Sequence, residues 1–155
     1  MADEPAFTFL DPGDLVDGEL SLAVVRRIAP DASKGWVAAY EFEMRVPGAG
    51  RPAGRLNFRA QEHPLLDLYR GHIGYGVEPD RRGRHYAERA VRLLLPFIRR
   101  HGFSAIWITC SPGNRPSRRT CERLGAVLVE VVELPDTEEM WARGDREKCR
   151  YRLDL

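Results

Sequence analysis

Val77-Glu78-Pro79-Asp80-Arg81-Arg82-Gly83-Arg84-His85-Tyr86-Ala87 carries the chain from a strand end to a helix start within a few residues. Upstream, HIGYGVEP (His72 to Pro79) reads as a strand stopped by a proline that cannot continue a central ladder. Downstream, YAERAVRLLLPFIRRHG places Ala87, Ala90, Val91, Leu94, Phe97 and Ile98 on one face at helical spacing, with Gly102 as the stop. Pro96 falls inside this helix and removes one ladder bond, yet the periodicity continues past it. A helix start leaves several N–H groups without partners, and the dipole adds positive potential there. With Arg81, Arg82 and Arg84 beside it, such a turn suits a phosphate or diphosphate.

Working outward, Leu20, Leu22 and Val24 alternate in ELSLAVVRR (19–27), and Trp36, Ala38, Tyr40, Phe42 and Met44 alternate in WVAAYEFEMRV (36–46). Both predict strands. The breaker-rich Pro47–Gly54 joins the second to RLNFRA (Arg55–Ala60) as a hairpin with a long loop. Gly74 and Gly76 mark a bulge or a close backbone approach. SAIWITC (Ser104–Cys110) suits a buried parallel strand. Asn114 can cap a short helix that tolerates Pro116 in its first turn and ends before Gly125. VLVEVVEL and KCRYRLDL close the chain as strands around a polar loop holding Met140 and Trp141. The expected order is four strands, a helix, a strand, a short helix and two strands: an α/β fold with a mixed sheet.

The 155 residues fit one domain, 1–155, able to bury a core, and the 43% hydrophobic and 30% charged content is that of an ordinary soluble chain. No apolar run is long enough for a membrane span, and Met1 to Pro5 is acidic, so a cytoplasmic location is the default expectation. Cys110, Cys121 and Cys149 form no C-x-x-C pair, which argues against a disulfide framework or a zinc site. His85 has no second ligand three or four residues on, so no metal is expected. The net charge of +1 hides a strong asymmetry: residues 1–43 carry 9 acids against 3 bases, whereas 81–123 carry 11 arginines against Glu88 and Glu122. Such a block is a solvated helix face or an anion site. Nucleic acid is not the expected partner, because exposed aromatics are not interleaved with the arginines.

Among phosphate motifs, no P-loop is present, and Gly74-Tyr75-Gly76 lacks the third glycine of a dinucleotide fingerprint. Arg82-Gly83-Arg84-His85-Tyr86-Ala87 after Val77-Glu78-Pro79 resembles the Q/R-x-x-G-x-G/A signature of the GNAT acyltransferase superfamily, with His85 standing where the signature has glycine. Asn114-Arg115-Pro116-Ser117 and Glu122-Arg123-Leu124-Gly125-Ala126 resemble the N-x-x-A/S and K-L-G-F elements that close the same cofactor site. GHIGYGVEP with WITC further resembles a bacterial subgroup of predicted acetyltransferases. The similarity covers residues 71–126 well, the hairpin in outline and the first 30 residues hardly at all.

The resemblance implies a GNAT fold: a mostly antiparallel sheet with a central splayed parallel strand pair, and one long and one short helix after the fourth strand. Acetyl-CoA would be the co-substrate, its pantetheine arm pairing with the free edge of a strand. By position, Tyr75, Gly76 and Val77 would contact pantetheine. Arg82, Gly83, Arg84, His85, Tyr86 and Ala87 would hold the diphosphate, with Asn114 and Ser117 near the thiol arm or adenine. The implied reaction is direct attack of a small-molecule or peptide primary amine on the thioester, without metal. Cys121 stands where many relatives carry the tyrosine that protonates the leaving thiolate, as an acid or as simple packing. His72, Glu78, Glu41, Glu43 and His63 are candidate bases, and spacing singles out none. Only Ile28–Gly35 stands where relatives wall the acceptor pocket with helices, which leaves that pocket open or completed by another subunit in a homodimer. A different class of function, a catalytically silent CoA-binding module, is motivated by His85 and Cys121.

Overall fold

The computed structural model describes residues 6–155, and the acidic segment Met1–Pro5 lies outside them. Five strands, β1 (Leu15–Asp17), β2 (Leu20–Ile28), β3 (Ala39–Arg45), β4 (Gly54–Arg59) and β5 (Ile73–Val77), form one sheet in that order. The helix α1 (Tyr86–Arg100) follows, then β6 (Ala105–Cys110), α2 (Arg115–Leu124), β7 (Val127–Glu133), the short α3 (Glu139–Ala142) and β8 (Glu147–Asp154). The last three strands form a second sheet ordered β6-β8-β7.

Alternation in the sequence sets which face is buried. Tyr40 pairs with Phe58 and Phe58 with Ile73, while Phe42 pairs with Leu56 and Leu56 with Tyr75, so these side chains share one face of the first sheet. The buried face of α1, with Ala90, Val91, Leu94, Phe97 and Ile98, joins them in a single core, to which α2 adds Cys121 and Leu124 and the second sheet adds Ile106, Ile108, Tyr151 and Leu153. Pro96 and Arg92 both lie on the exposed side of α1, so the carbonyl deprived of its donor faces water.

The described structure corrects the expected topology in two respects. Every ladder is antiparallel, and no parallel pair joins β5 to β6. The extra strand β1 makes the long helix follow the fifth strand rather than the fourth. Its last residue and the turn that follows are tied to α1 by Arg89, which donates to Asp17 Oδ2 at 2.7 Å and to Glu19 Oε1 at 2.9 Å. Three residues with one inward side chain carry too little alternation to stand out in a sequence.

The missing ladder has a local cause. At the start of β5 the His72 N–H donates to Trp107 O at 2.8 Å. The next donor across, Trp107 N–H, goes to the His72 ring at Nδ1, 2.9 Å away, in place of a strand carbonyl. Gly71 allows the approach: its φ of 69° and ψ of 162° lie where essentially only glycine goes, and a Cβ there would stand 3.0 Å from Trp107 O and 3.1 Å from Thr109 N. The Leu66–Arg70 π-turn packs alongside, its Tyr69 carbonyl accepting from Thr109 Oγ1 at 2.8 Å.

Gly71→Ala is therefore expected to cost about 2–4 kcal/mol, from left-handed strain plus backbone overpacking, read as a lower urea midpoint. His72 is 1% exposed, and burial holds its imidazole below the ordinary 6.5, with Arg59 acting in the same direction and Glu62 and Asp67 opposing. The unfolded chain then takes up that proton first as pH drops. Stability is full above about 6.5 and declines as the pH falls toward the depressed folded value. Urea midpoints should be lower at pH 5.5 than at pH 7.5, while the His72 ring titrates by NMR at a lower pH than an ordinary histidine.

Candidate active site

The strand-to-helix junction is built by four conformations in a row. Glu78 leads into a 3-10 turn, Pro79–Arg81; Arg82 is extended; Gly83 takes φ 88°; His85 takes φ 59° and ψ 29°. The first bond closing α1 runs from Arg89 N–H to His85 O at 2.9 Å, so the amides of Tyr86, Ala87 and Glu88 have no partner within the helix. No side chain caps them. His85 is turned away, its Nδ1 accepting from the Arg123 guanidinium of α2. Tyr86 is buried and donates to Glu19 at 3.1 Å, which fixes the first turn. Arg82 Nε donates to Val77 O at 3.2 Å and braces the loop, while Arg84 is exposed beside it. A Cβ at Gly83 would meet nothing within 4 Å, so space lies open over the turn.

Beside this turn lies the unladdered edge of β5. From β5 the Tyr75 hydroxyl reaches α2, 3.1 Å from Ser117 Oγ and 3.7 Å from Cys121 Sγ. Asn114 spends its side-chain oxygen capping α2, accepting from Ser117 N–H at 3.3 Å. Cys121 is fully buried and its thiol is pushed up to about 12, mainly by burial; Tyr75 is raised for the same reason. A proton passed from such a thiol to a thiolate of ordinary pKa near 8.5 climbs roughly 5 kcal/mol. Of the two roles the sequence left for Cys121, packing is the one this environment favours.

The candidate bases are dispersed. His72 is committed on both nitrogens: Nδ1 accepts from Trp107, which places the proton on Nε2, 3.2 Å from Glu62 and 3.8 Å from Asp67. These three side chains are close enough together for a metal ion, yet ligation through Nε2 would require an imidazolate, so the donor set suits a hydrogen bond. Glu78 is exposed and its side chain does not cap the turn that follows. Glu43 is held by Arg45 at 3.0 Å, and His63 Nδ1 accepts from Leu65 N–H at 3.1 Å. Glu41 is placed differently, its one ion-pair contact being the longer 3.9 Å approach of the Arg26 guanidinium. It lines a cleft of about 320 Å³ on the outer face of the first sheet with Asn57, Gly74, Tyr75 and Gly76.

The register accounts for this cleft. Glu41 pairs with Asn57 and Asn57 with Gly74, in one row across three strands. Gly74 N–H donates to Asn57 Oδ1 at 2.8 Å, in space a Cβ would fill. That is the close approach the sequence offered as one meaning of the glycines. An irregularity between Val24 and Arg26 shifts the β2 register at this level. Asn57 and Arg59 were missed, although alternation in RLNFRA puts Arg55, Asn57 and Arg59 on one face.

A larger cleft of about 570 Å³ adjoins on the same face, between Lys34–Val37, the Leu65–Arg70 turn and α3. Only a single 3-10 turn, Ala32–Lys34, occupies the segment between β2 and β3. Met140 reaches this cleft, whereas Trp141 is covered by the Arg146 guanidinium at 3.7 Å. Among the described residues no helix is long and apolar enough to cross a membrane.

The family model of the acetyltransferase (GNAT) domain matches residues 8–127. No curated protein matches the sequence significantly. Several solved structures share the fold. The microcin C7 self-immunity acetyltransferase MccE, solved with acetyl-CoA and AMP, superposes with a TM-score of 0.58 at 20% identity over 76% of this chain and 61% of its own. The ribosomal-protein-S5-alanine acetyltransferase of Vibrio fischeri gives 0.61 at 16% identity, over 75% and 61%. A Salmonella typhimurium acetyltransferase that modifies the N-terminal serine of ribosomal protein L7/L12 gives 0.57 at 19%, over 79% and 66%. This chain thus spans about 61% to 66% of the length of those proteins. The helix start after β5 and the unladdered strand edge lie within the matched span, which extends over most of the sequence: the chain belongs to the GNAT acetyltransferase family.

Proposed function

We propose that the protein moves an acetyl group from acetyl-CoA to a primary amine of a small molecule or peptide by direct attack. The observation that carries this reading is the trio of uncapped amides at Tyr86, Ala87 and Glu88, opening a fifteen-residue helix beside a free strand edge. Those amides, with the charges of Arg81, Arg82 and Arg84, suit a diphosphate. Peptide groups on the open edge of β5, from Tyr75 to Val77, suit an extended amide-bearing arm. Bound acetyl-CoA would supply a thioester carbonyl activated toward amines. Glu41, in the same cross-strand row as Gly74 and one row from Gly76 on the outer face, would take the ammonium proton directly or through water. The relatives' use of acetyl-CoA and of ribosomal-protein amines supports the same reaction class.

His85 departs from the signature in residue type but not in backbone shape, since its left-handed φ of 59° is a conformation glycine takes freely. His85→Gly removes the left-handed strain and the Arg123 contact that offsets it together, so the melting temperature should change little while coenzyme A affinity is retained. Gly83→Glu places a carboxylate and a strained φ at the cradle. Calorimetric titration of coenzyme A should show at least about a tenfold weaker Kd, that is about 1.4 kcal/mol, with a native circular dichroism spectrum. Unchanged affinity would mean that the diphosphate lies elsewhere. Glu41→Gln should lower kcat about 100-fold or more in a thiol-release assay across an amine panel, with coenzyme A affinity intact. Tight coenzyme A binding with no thiol release from any amine would favour the silent binding module.

A further inference from the structure

Resting on that acetyl-transfer reading, we infer that the acceptor is a peptide amine with a carboxylate side chain two or three residues along, and that the 570 Å³ cleft around Arg59 receives the carboxylate.

The two clefts are neighbours by register. Glu41, Asn57 and Gly74 form one cross-strand row, and Ile28, Ala39 and Arg59 form the next row on the same face of the sheet. Two residues along a strand is about 7 Å, and a side chain two or three residues along an extended peptide lies at a similar reach or slightly beyond from its amine. An amine held near Glu41 therefore brings such a side chain to Arg59.

The larger cleft needs an anion. Arg59 and Arg70 line it together with Lys34, Arg143 and Arg26, and Arg26 Nη1 stands 3.9 Å from Glu41 Oε1 of the neighbouring cleft. Of its two carboxylates, Glu138 is 6% exposed and spent on Arg70, with contacts of 3.1 and 3.3 Å, and Glu139 lies 3.8 Å from Arg143. Arg59 has no carboxylate partner among the described residues. Its Nη1 is satisfied by the carbonyl of Gly71 at 3.1 Å, with that of Arg70 at 3.5 Å, which fixes the plane of the guanidinium and leaves its other nitrogens available. Burial and the nearby Arg70 charge both disfavour its protonated form, the situation an incoming carboxylate relieves through paired, charge-assisted hydrogen bonds. A neutral peptide would leave that cation uncompensated.

The test uses two C-terminally amidated peptides, Ala-Ala-Glu-Ala and Ala-Ala-Gln-Ala, in a thiol-release assay at saturating acetyl-CoA. The Glu peptide should show a kcat/KM at least about tenfold higher, the difference residing in KM and shrinking between 50 and 500 mM NaCl, as screening demands. In Arg59→Gln the ratio of the two peptides should fall to about one. In Arg143→Gln, at the solvent-exposed rim, it should fall by a smaller factor. Equal turnover of both peptides by the unaltered protein, or a ratio untouched by Arg59→Gln, overturns this inference and leaves acetyl transfer standing. Turnover of other amines but of neither peptide overturns the peptide class. Coenzyme A binding with no release from any amine overturns the transfer reading and this inference with it.

Discussion

The fold turns on one contact between two sheets, the exchange at His72 and Trp107. A backbone carbonyl and an imidazole nitrogen take the two donors that a regular strand pair would have satisfied in a ladder. Because the imidazole can accept there only while Nδ1 is unprotonated, the contact also fixes the tautomer and sends the other proton toward Glu62 and Asp67. The two sheets are thereby joined at a point instead of along an edge. Beyond that point β5 keeps one side free of strand partners, and the helix that leaves its end starts with bare amides. The free edge and the bare amides arise from the same economy: the chain satisfies its backbone at the junction and leaves it unsatisfied where another molecule can complete it.

Charge follows that geometry. The arginine block between residues 81 and 123 divides into members with structural partners and members without. Arg89 holds β1, Arg92 reaches Arg123 O at 2.7 Å, and Arg118 donates to Tyr151 at 3.0 Å. Arg84, exposed at the turn, is left to the field of the helix start. A charge count along the sequence thus overstates the local potential at the turn, since much of the block is tied into the fold. On the outer face Arg26, Lys34, Arg70 and Arg143 each lie within 4 Å of a carboxylate, whereas Arg59 is partly buried with none to meet it among the described residues.

Much of this was legible from residue order. The periodicity of α1 survived Pro96 because the proline falls on the wet side, where a lost bond is least costly, and Asn114 caps α2 as its side chain chemistry requires. The hairpin of β3 and β4 followed from alternation and its breaker-rich loop. What could not be read was pairing. SAIWITC has the apolar density of a buried parallel strand, yet β6 pairs only with β8, antiparallel, because a histidine side chain occupies the donor on its other side. Composition cannot report that substitution. The register shift after Val24 was equally hidden, being a property of two strands together. Glu41 could not be chosen over Glu43 for that reason: both alternate outward, and only the row they fall in tells the one beside Gly74 from the one paired with Arg45.

His85 shows how a sequence signature encodes a backbone path more than a set of side chains. Glycine at such a position is usually explained by its freedom to adopt positive φ. An L-residue can follow the same path if something offsets the strain, and here the ring of His85 accepts from Arg123, whose carbonyl in turn receives Arg92 of α1. The substitution therefore couples the start of one helix to the end of the other across the site. What glycine supplies by conformational freedom, this chain supplies by a tertiary contact between α1 and α2, and the geometry of the turn is held by two elements in place of one residue.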